Sequence, residues 1–247
     1  MTEKKATARK QKIVKDGTKF KFIILSTLVL LLLVGAACAP FLVPFDPYVQ
    51  DLNHALQPPD SVHLLGTDRF GRDLLSRVIM GSRTTIYSSL LLVIIITVVG
   101  TAVGVFCGYH GGTTDSVIMR ISDIFLAFPG MVFAIAVAGV LGGGVMNAVV
   151  ALACISWPKF ARIARSQVMT MKDMPYIAAA KLSGSGTGKI MIKHILPNIA
   201  GPVIVTAVLD IGTMMMEIAG LSFLGLGAMP PIAEWGSMTV SYTHLTL

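Results

Sequence analysis

Five apolar stretches, each close to the length of a membrane crossing, constrain this chain more than any motif does. They cover residues 22–43, 84–107, 116–140, 145–163 and 198–223. A hydrocarbon core about 30 Å thick takes roughly 20 residues of helix. Inside lipid, each backbone N–H and C=O must be satisfied within that helix. The chain is therefore expected to be an all-α polytopic membrane protein with five transmembrane helices. Its charge content agrees: only 13% of the 247 residues are Asp, Glu, Lys or Arg, about half the usual share of a soluble domain.

Charge placement sets the orientation. Residues 1–21 hold eight Lys or Arg against two acids, and the positive-inside bias makes them a cytoplasmic basic tail. The net charge of +7 collects in two segments beside spans, which argues for lipid as the surrounding medium and against nucleic acid as a partner. The run 22–43 exceeds the 7–15 residue core of a signal peptide and reads as a retained helix. Gly35-Ala36-Ala37-Cys38 makes a poor lipoprotein cleavage box, because Gly35 stands where Leu is usual.

Residues 44–83 form an external loop whose four Arg are offset by five Asp. Pro44, Pro47, Pro58 and Pro59 break its first part. Gly66-Thr67-Asp68-Arg69-Phe70-Gly71-Arg72-Asp73 reads as a turn feeding a short helix, with Thr67 or Asp68 as its cap. Asp68, Arg72 and Asp73 read as a local charge network rather than a catalytic or metal cluster. Gly100, Gly104 and Gly108, four apart, invite another helix to approach closely. Phe128-Pro129-Gly130 should kink or interrupt the third span. Cys38, Cys107 and Cys154 read as small buried packing residues, and His54, His63, His110 and His194 are scattered through loops, so no fixed metal site is expected.

A polar island, 171–197, is too long for a turn and too polar to cross a bilayer. In and around it stand Lys159, Arg162, Arg165, Lys172, Lys181, Lys189 and Lys193 against one acid, Asp173. That balance puts the 166–197 loop in the cytoplasm, as four crossings from a cytoplasmic start also do. Residues 178–182 favour helix, with Asp173 as cap and Pro175 in the first turn. A Gly-rich turn follows over 183–188, then a second short helix over 189–195 ended by Leu196-Pro197. The result is a helix–turn–helix whose small face, built on Ala178, Ala179, Ala180 and Gly184, suits a docking partner. The turn is similar to a phosphate-binding loop, but Ser183 stands at the first Gly position, Ile190 replaces the magnesium-binding hydroxyl, and no strand precedes it.

In the fifth span, Asp210, Met214 and Glu217 share one helix face, with Met215 alongside. A carboxylate in mid-membrane costs at least about 3 kcal/mol unless it faces protein or a water-filled path. These four residues are therefore the candidate transport path. The alternative is that Asp210 pairs with a Lys or Arg elsewhere in a complex while the Met residues pack. Two carboxylates with thioethers nearby suit a divalent cation or a cationic chelate, and would also suit a peptide's amino terminus.

Ala179-Ala180-x3-Gly184, with Leu196-Pro197 following, resembles the cytoplasmic "EAA" loop of bacterial ABC-importer permeases. The usual leading Glu is Ala178 here, and His194 replaces a hydrophobic residue. Leu65 through Asp73, Ser222-Phe223-Leu224-Gly225-Leu226-Gly227 and Glu234-Trp235-Gly236-x-Met238 look like the second permease subunit of dipeptide, oligopeptide and nickel importers. Leu209-Asp210-Ile211-Gly212-x-Met214-Met215 looks most like the nickel type.

The resemblance implies a multi-pass subunit of the bacterial inner membrane that forms a pathway with a homologous second permease. Two ATPase subunits would dock on Ala178, Ala179, Ala180, Gly184, Leu196 and Pro197, and would hold the ATP and Mg; this subunit would need no cofactor. An extracytoplasmic binding protein would deliver nickel or a nickel chelate or, alternatively, a di- or oligopeptide. An intramembrane enzyme lacks a nucleophile–base motif in the spans, and an ion channel would conduct without ATP. The resemblance also implies a sixth span. The sequence ends instead in a short polar segment, so 239–247 reads as a truncated or non-native tail.

Overall fold

The computed structural model describes the backbone of residues 2–243 and the side chains of residues 19–240. The side chains of most of the basic tail 1–21, and the end of the 239–247 tail, lie outside the described residues. The elements are α1 (Thr2–Ala37), α2 (Ala39–Leu42), α3 (Leu74–His110), α4 (Gly112–Ala127), α5 (Gly130–Leu141), α6 (Val145–Met171), α7 (Pro175–Leu182), α8 (Thr187–Ile190), α9 (Leu196–Phe223) and α10 (Trp235–Thr243). No strand occurs among the described residues, and the fold is the all-α polytopic arrangement expected.

Three described helical stretches are long and apolar enough to cross a membrane: Lys19–Ala37, Leu74–His110 and Thr187–Phe223. The α4–α5 pair is a fourth if taken as one span, bent by 92°. Phe128 leaves the helix with extended backbone, and Pro129 sits at the N-cap of α5, so the proline does interrupt the third span. Helix α6 is 27 residues long, but Lys159, Arg162 and Arg165 interrupt its apolar character and take it out of that count.

The bundle is built on α3 against α6. A Cβ on Gly100 would stand 2.5 Å from the Trp157 carbonyl oxygen, and one on Gly104 would stand 2.2 Å from that of Ala161. No side chain fits there, so the Gly stripe sets how closely α3 and α6 approach. Leu92, Ile96, Leu152, Phe160, Met214 and Ile218 fill the main apolar cluster where α3, α6 and α9 meet. Of the three cysteines only Cys107 is buried; Cys38, in the break between α1 and α2, and Cys154, on α6, are exposed.

The loop end of the bundle, residues 44–73 and 224–234, is closed by polar contacts. The cap of α3 is Asp73, not Thr67 or Asp68: its carboxylate accepts the Ser76 N–H at 2.7 Å. Thr67 is occupied elsewhere, accepting the Gln57 N–H and donating to the His54 carbonyl. Asp68 is engaged by Arg72 at 2.6 Å and Arg77 at 3.6 Å. The expected charge network is therefore present around Asp68 and Arg72, with Arg77 also donating to the carbonyls of Pro47 and Pro231, while Asp73 stands outside it and pairs with His63 at 2.9 Å. Helix α9 stops in a Schellman turn: Gly225, at φ +78°, donates to Ser222 O and Leu226 donates to Leu221 O. Buried Glu234 then accepts the Gly236 and Ser237 N–H groups and seats the first turn of α10. Thr239–Thr243 continue α10.

Candidate functional site

Two regions carry the sequence-derived candidates. The first is the island. Pro175 opens α7, but its N-cap is Met174, without a side-chain bond; Asp173 is exposed one residue too early to cap. Ile177 and Ala180 are buried in a second apolar cluster with Val105, Val168, Ile190, Ile195 and Ile199. Of the proposed docking residues, Ala178, Ala179 and Gly184 are exposed while Ala180 faces inward. Leu182 is 90% exposed, an apolar side chain left to solvent at the tip.

Gly184 has φ +78° and closes α7 in a second Schellman turn, with bonds from Gly184 N to Lys181 O and from Ser185 N to Ala180 O. The helix that follows differs from expectation. Rather than a short helix ended by Leu196-Pro197, helical backbone runs unbroken over Thr187–Phe223, 37 residues. A π turn over Met191–Ile195 lies just before the proline, with Leu196 N bonding to Met191 O. The wider turn accommodates a residue that has no N–H to give. Leu196 and Pro197, both exposed, therefore lie on a continuous rod that joins the island to α9.

The second region is the middle of the bundle. Lys159 and Asp210 are each the fifteenth residue of their helices, α6 and α9, which run antiparallel. Lys159 Nζ donates to Asp210 Oδ1 at 2.5 Å. Asp210 is 4% exposed, and its Oδ2 is buried with no partner; the Lys159 side chain is 50% exposed. The counter-charge of Asp210 thus comes from within the chain rather than from elsewhere in a complex. One turn on, Arg162 donates to Asp123 of α4, both half exposed. A further turn on, Arg165 Nε and Nη2 donate to Asp115 at 2.5 and 2.6 Å.

Sequence reading missed this ladder because it counted all three basic residues with the island. Their spacing of three along one helix was the available signal. Glu217 is half buried two turns beyond Asp210. Met215 is half buried and lines a shallow cleft with Trp235. Met214 is buried in the main apolar cluster with Ile218 and Leu221, one turn from Asp210 on the same inward face of α9. No group of three or more potential metal ligands occurs among the described residues.

This arrangement, a helical bundle with a helical elbow at one end and charges at mid-depth, matches a known family. Residues 100–246 match the model of the binding-protein-dependent transport system inner membrane component. The chain belongs to that family. Among its relatives, the glutathione transport system permease protein GsiD of Pectobacterium atrosepticum is 41% identical over 85% of this chain and 70% of its own length. The probable D,D-dipeptide transport system permease protein DdpC of Escherichia coli is 39% identical, over 90% of this chain and 74% of its own. The nickel transport system permease protein NikC of Escherichia coli is 36% identical, over 85% and 76%. This permease is thus an ABC-importer subunit of the dipeptide, oligopeptide and nickel group, and the island and the ladder are features of an inner-membrane transport component.

Proposed function

We propose that this permease passes short zwitterionic peptides through a path bordered by the α4–α6–α9 face. A homologous second permease completes the path, and an extracytoplasmic binding protein supplies it. Two ATPases drive it by docking on the cytoplasmic island around Ala178, Ala179, Gly184 and Leu182, with the N-terminus on the same side. The observation that carries the reading is the ladder of half-open ion pairs. Charged side chains at membrane depth do not face hydrocarbon; they face protein or a water-filled path. Lys159, Arg162 and Asp123 are each about half exposed in this chain, so their face is the one that a path or a partner covers.

The sign of the charge narrows the cargo. Asp210, Asp123 and Asp115 each already have a resident cation, so apart from Glu217 this face is balanced rather than strongly negative. A balanced face suits a solute bearing both an ammonium and a carboxylate. It suits a bare divalent ion less well, for which unpaired carboxylates are the fitting donors. The glutathione, dipeptide and D,D-dipeptide names of several relatives agree with a peptide cargo. Nickel remains the competing cargo through the 209–215 pattern.

The test is cargo-dependent stimulation of ATP hydrolysis in the full importer reconstituted in proteoliposomes. Ala-Ala at micromolar concentration should stimulate hydrolysis and be accumulated, while Ni²⁺ alone should not. Stimulation by Ni²⁺ and none by peptide would reverse the assignment, and solute flux without ATP would point to a channel.

A further inference from the structure

The half-satisfied carboxylate of Asp210 has a consequence for how cargo is held. A buried carboxylate oxygen without a donor is costly, and Asp210 keeps one at mid-span while its other oxygen holds Lys159. Lys159 is in the complementary position: one side of its ammonium is on Asp210 and half of its side chain is open. Side by side, the two combine one donorless acceptor, covered in this conformation, and one exposed cation, both at the centre of antiparallel helices.

We propose that Lys159 and Asp210 form a binding subsite for a zwitterion, resting on the peptide-import reading given above. The cargo's ammonium takes Oδ2 of Asp210 once helix movement uncovers that oxygen, and its carboxylate takes the open side of Lys159. The Lys159–Asp210 bond keeps the subsite charge-neutral between cargoes, so free inorganic cations gain little by entering. Glu217, within electrostatic reach of both residues and two turns nearer the loop end, gives an arriving ammonium an earlier contact. Lys159, which sequence reading assigned to the island, becomes a specificity-determining residue.

A purely structural clasp predicts something different, and the difference is measurable. Removing one partner of a buried ion pair strands the other, whereas removing both is often harmless to the fold. The full importer is reconstituted with wild-type permease, Lys159→Met, Asp210→Asn and the double variant, and Ala-Ala uptake is read as KM and kcat beside the yield of assembled complex. The double variant should assemble at wild-type yield yet transport at least about tenfold more slowly, and Lys159→Arg should recover most of the rate. Wild-type transport by the double variant would overturn the subsite and leave a clasp. Should Lys159→Met/Asp210→Asn assemble poorly, Lys159→Gln/Asp210→Asn, whose two amides can hydrogen-bond each other, is read by the same two outcomes. A wild-type importer that takes up Ni²⁺ and no Ala-Ala would instead overturn the peptide reading itself, and the subsite with it.

Discussion

The two ends of the bundle are built on opposite rules. At the loop end polar groups answer one another: Asp68 with Arg72 and Arg77, Asp73 with Ser76 and His63, Glu234 with the first turn of α10. Gly66 and Gly71 are crowded by backbone there, and a Cβ on Gly71 would stand 1.7 Å from the Asp51 carbonyl oxygen. At the island end Gly184, Gly186 and Gly188 have no such neighbour within 4 Å, α7 has no side-chain cap, and Leu182 is bare. The loop end is finished by its own chain. The island is packed on its inner side, by Ile177 and Ala180, and exposed on its outer side, the side proposed for docking. An end that is complete resists substitution through stability; an end that awaits a partner should show its substitutions in function.

That contrast can be broken most easily at glycine. Gly71→Ala forces a side chain onto φ +71° and into the Asp51 carbonyl, and should lower unfolding stability by roughly 3 kcal/mol. Gly186→Ala meets open space and should change it by less than about 0.5 kcal/mol. Thermal unfolding midpoints in detergent compare the two directly, and equal losses would erase the distinction between the ends.

A smaller effect is expected at Glu234. Glu234→Ala removes the acceptor of two α10 N–H groups and a contact to Thr85 Oγ1, at a cost of about 2 kcal/mol. Trp235, which donates to the Val78 carbonyl, would loosen with it. A red shift of tryptophan emission, with Trp157 as the only other contributor, reports the loss.

The smallest effect comes with pH. Burial pushes the Asp73 carboxyl up, but the Ser76 hydroxyl and N–H and the neighbouring His63 outweigh it and hold it below the ordinary carboxylate value. A depressed value means that the carboxylate's stabilisation is present above the unfolded-state value of 3.8. It is lost as pH falls through the lower folded-state value. Asp73→Asn should therefore flatten the acid limb of the stability curve below about pH 4 and lower stability at neutral pH. An unchanged acid limb would remove Asp73 from the loop-end network.

Much of this was legible in the residues, and the misses share a cause. Apolar runs gave the helical class, Gly100 and Gly104 gave a close helix contact, and Phe128-Pro129 gave a break; each is a local signal with a single physical outcome. Pro197 misled because a proline normally ends a helix, and the π turn that accommodates it is not written in one residue. Asp173 misled because capping depends on register, and Met174 holds that position. Lys159, Arg162 and Arg165 were counted by proximity in sequence to the island. Their partners, Asp210, Asp123 and Asp115, lie 39 to 51 residues away. Helix packing alone brings those charges together.

The central claim is that the outer face of the island is a docking surface awaiting the ATPases. Leu182→Cys, in a background where Cys38, Cys107 and Cys154 are replaced by Ser or Ala, places one thiol on that face. Its rate of modification by a charged maleimide is compared in the permease pair alone and in the complete complex with ATPases. Docking predicts a rate at least about tenfold slower in the complex; an equal rate in both would contradict it.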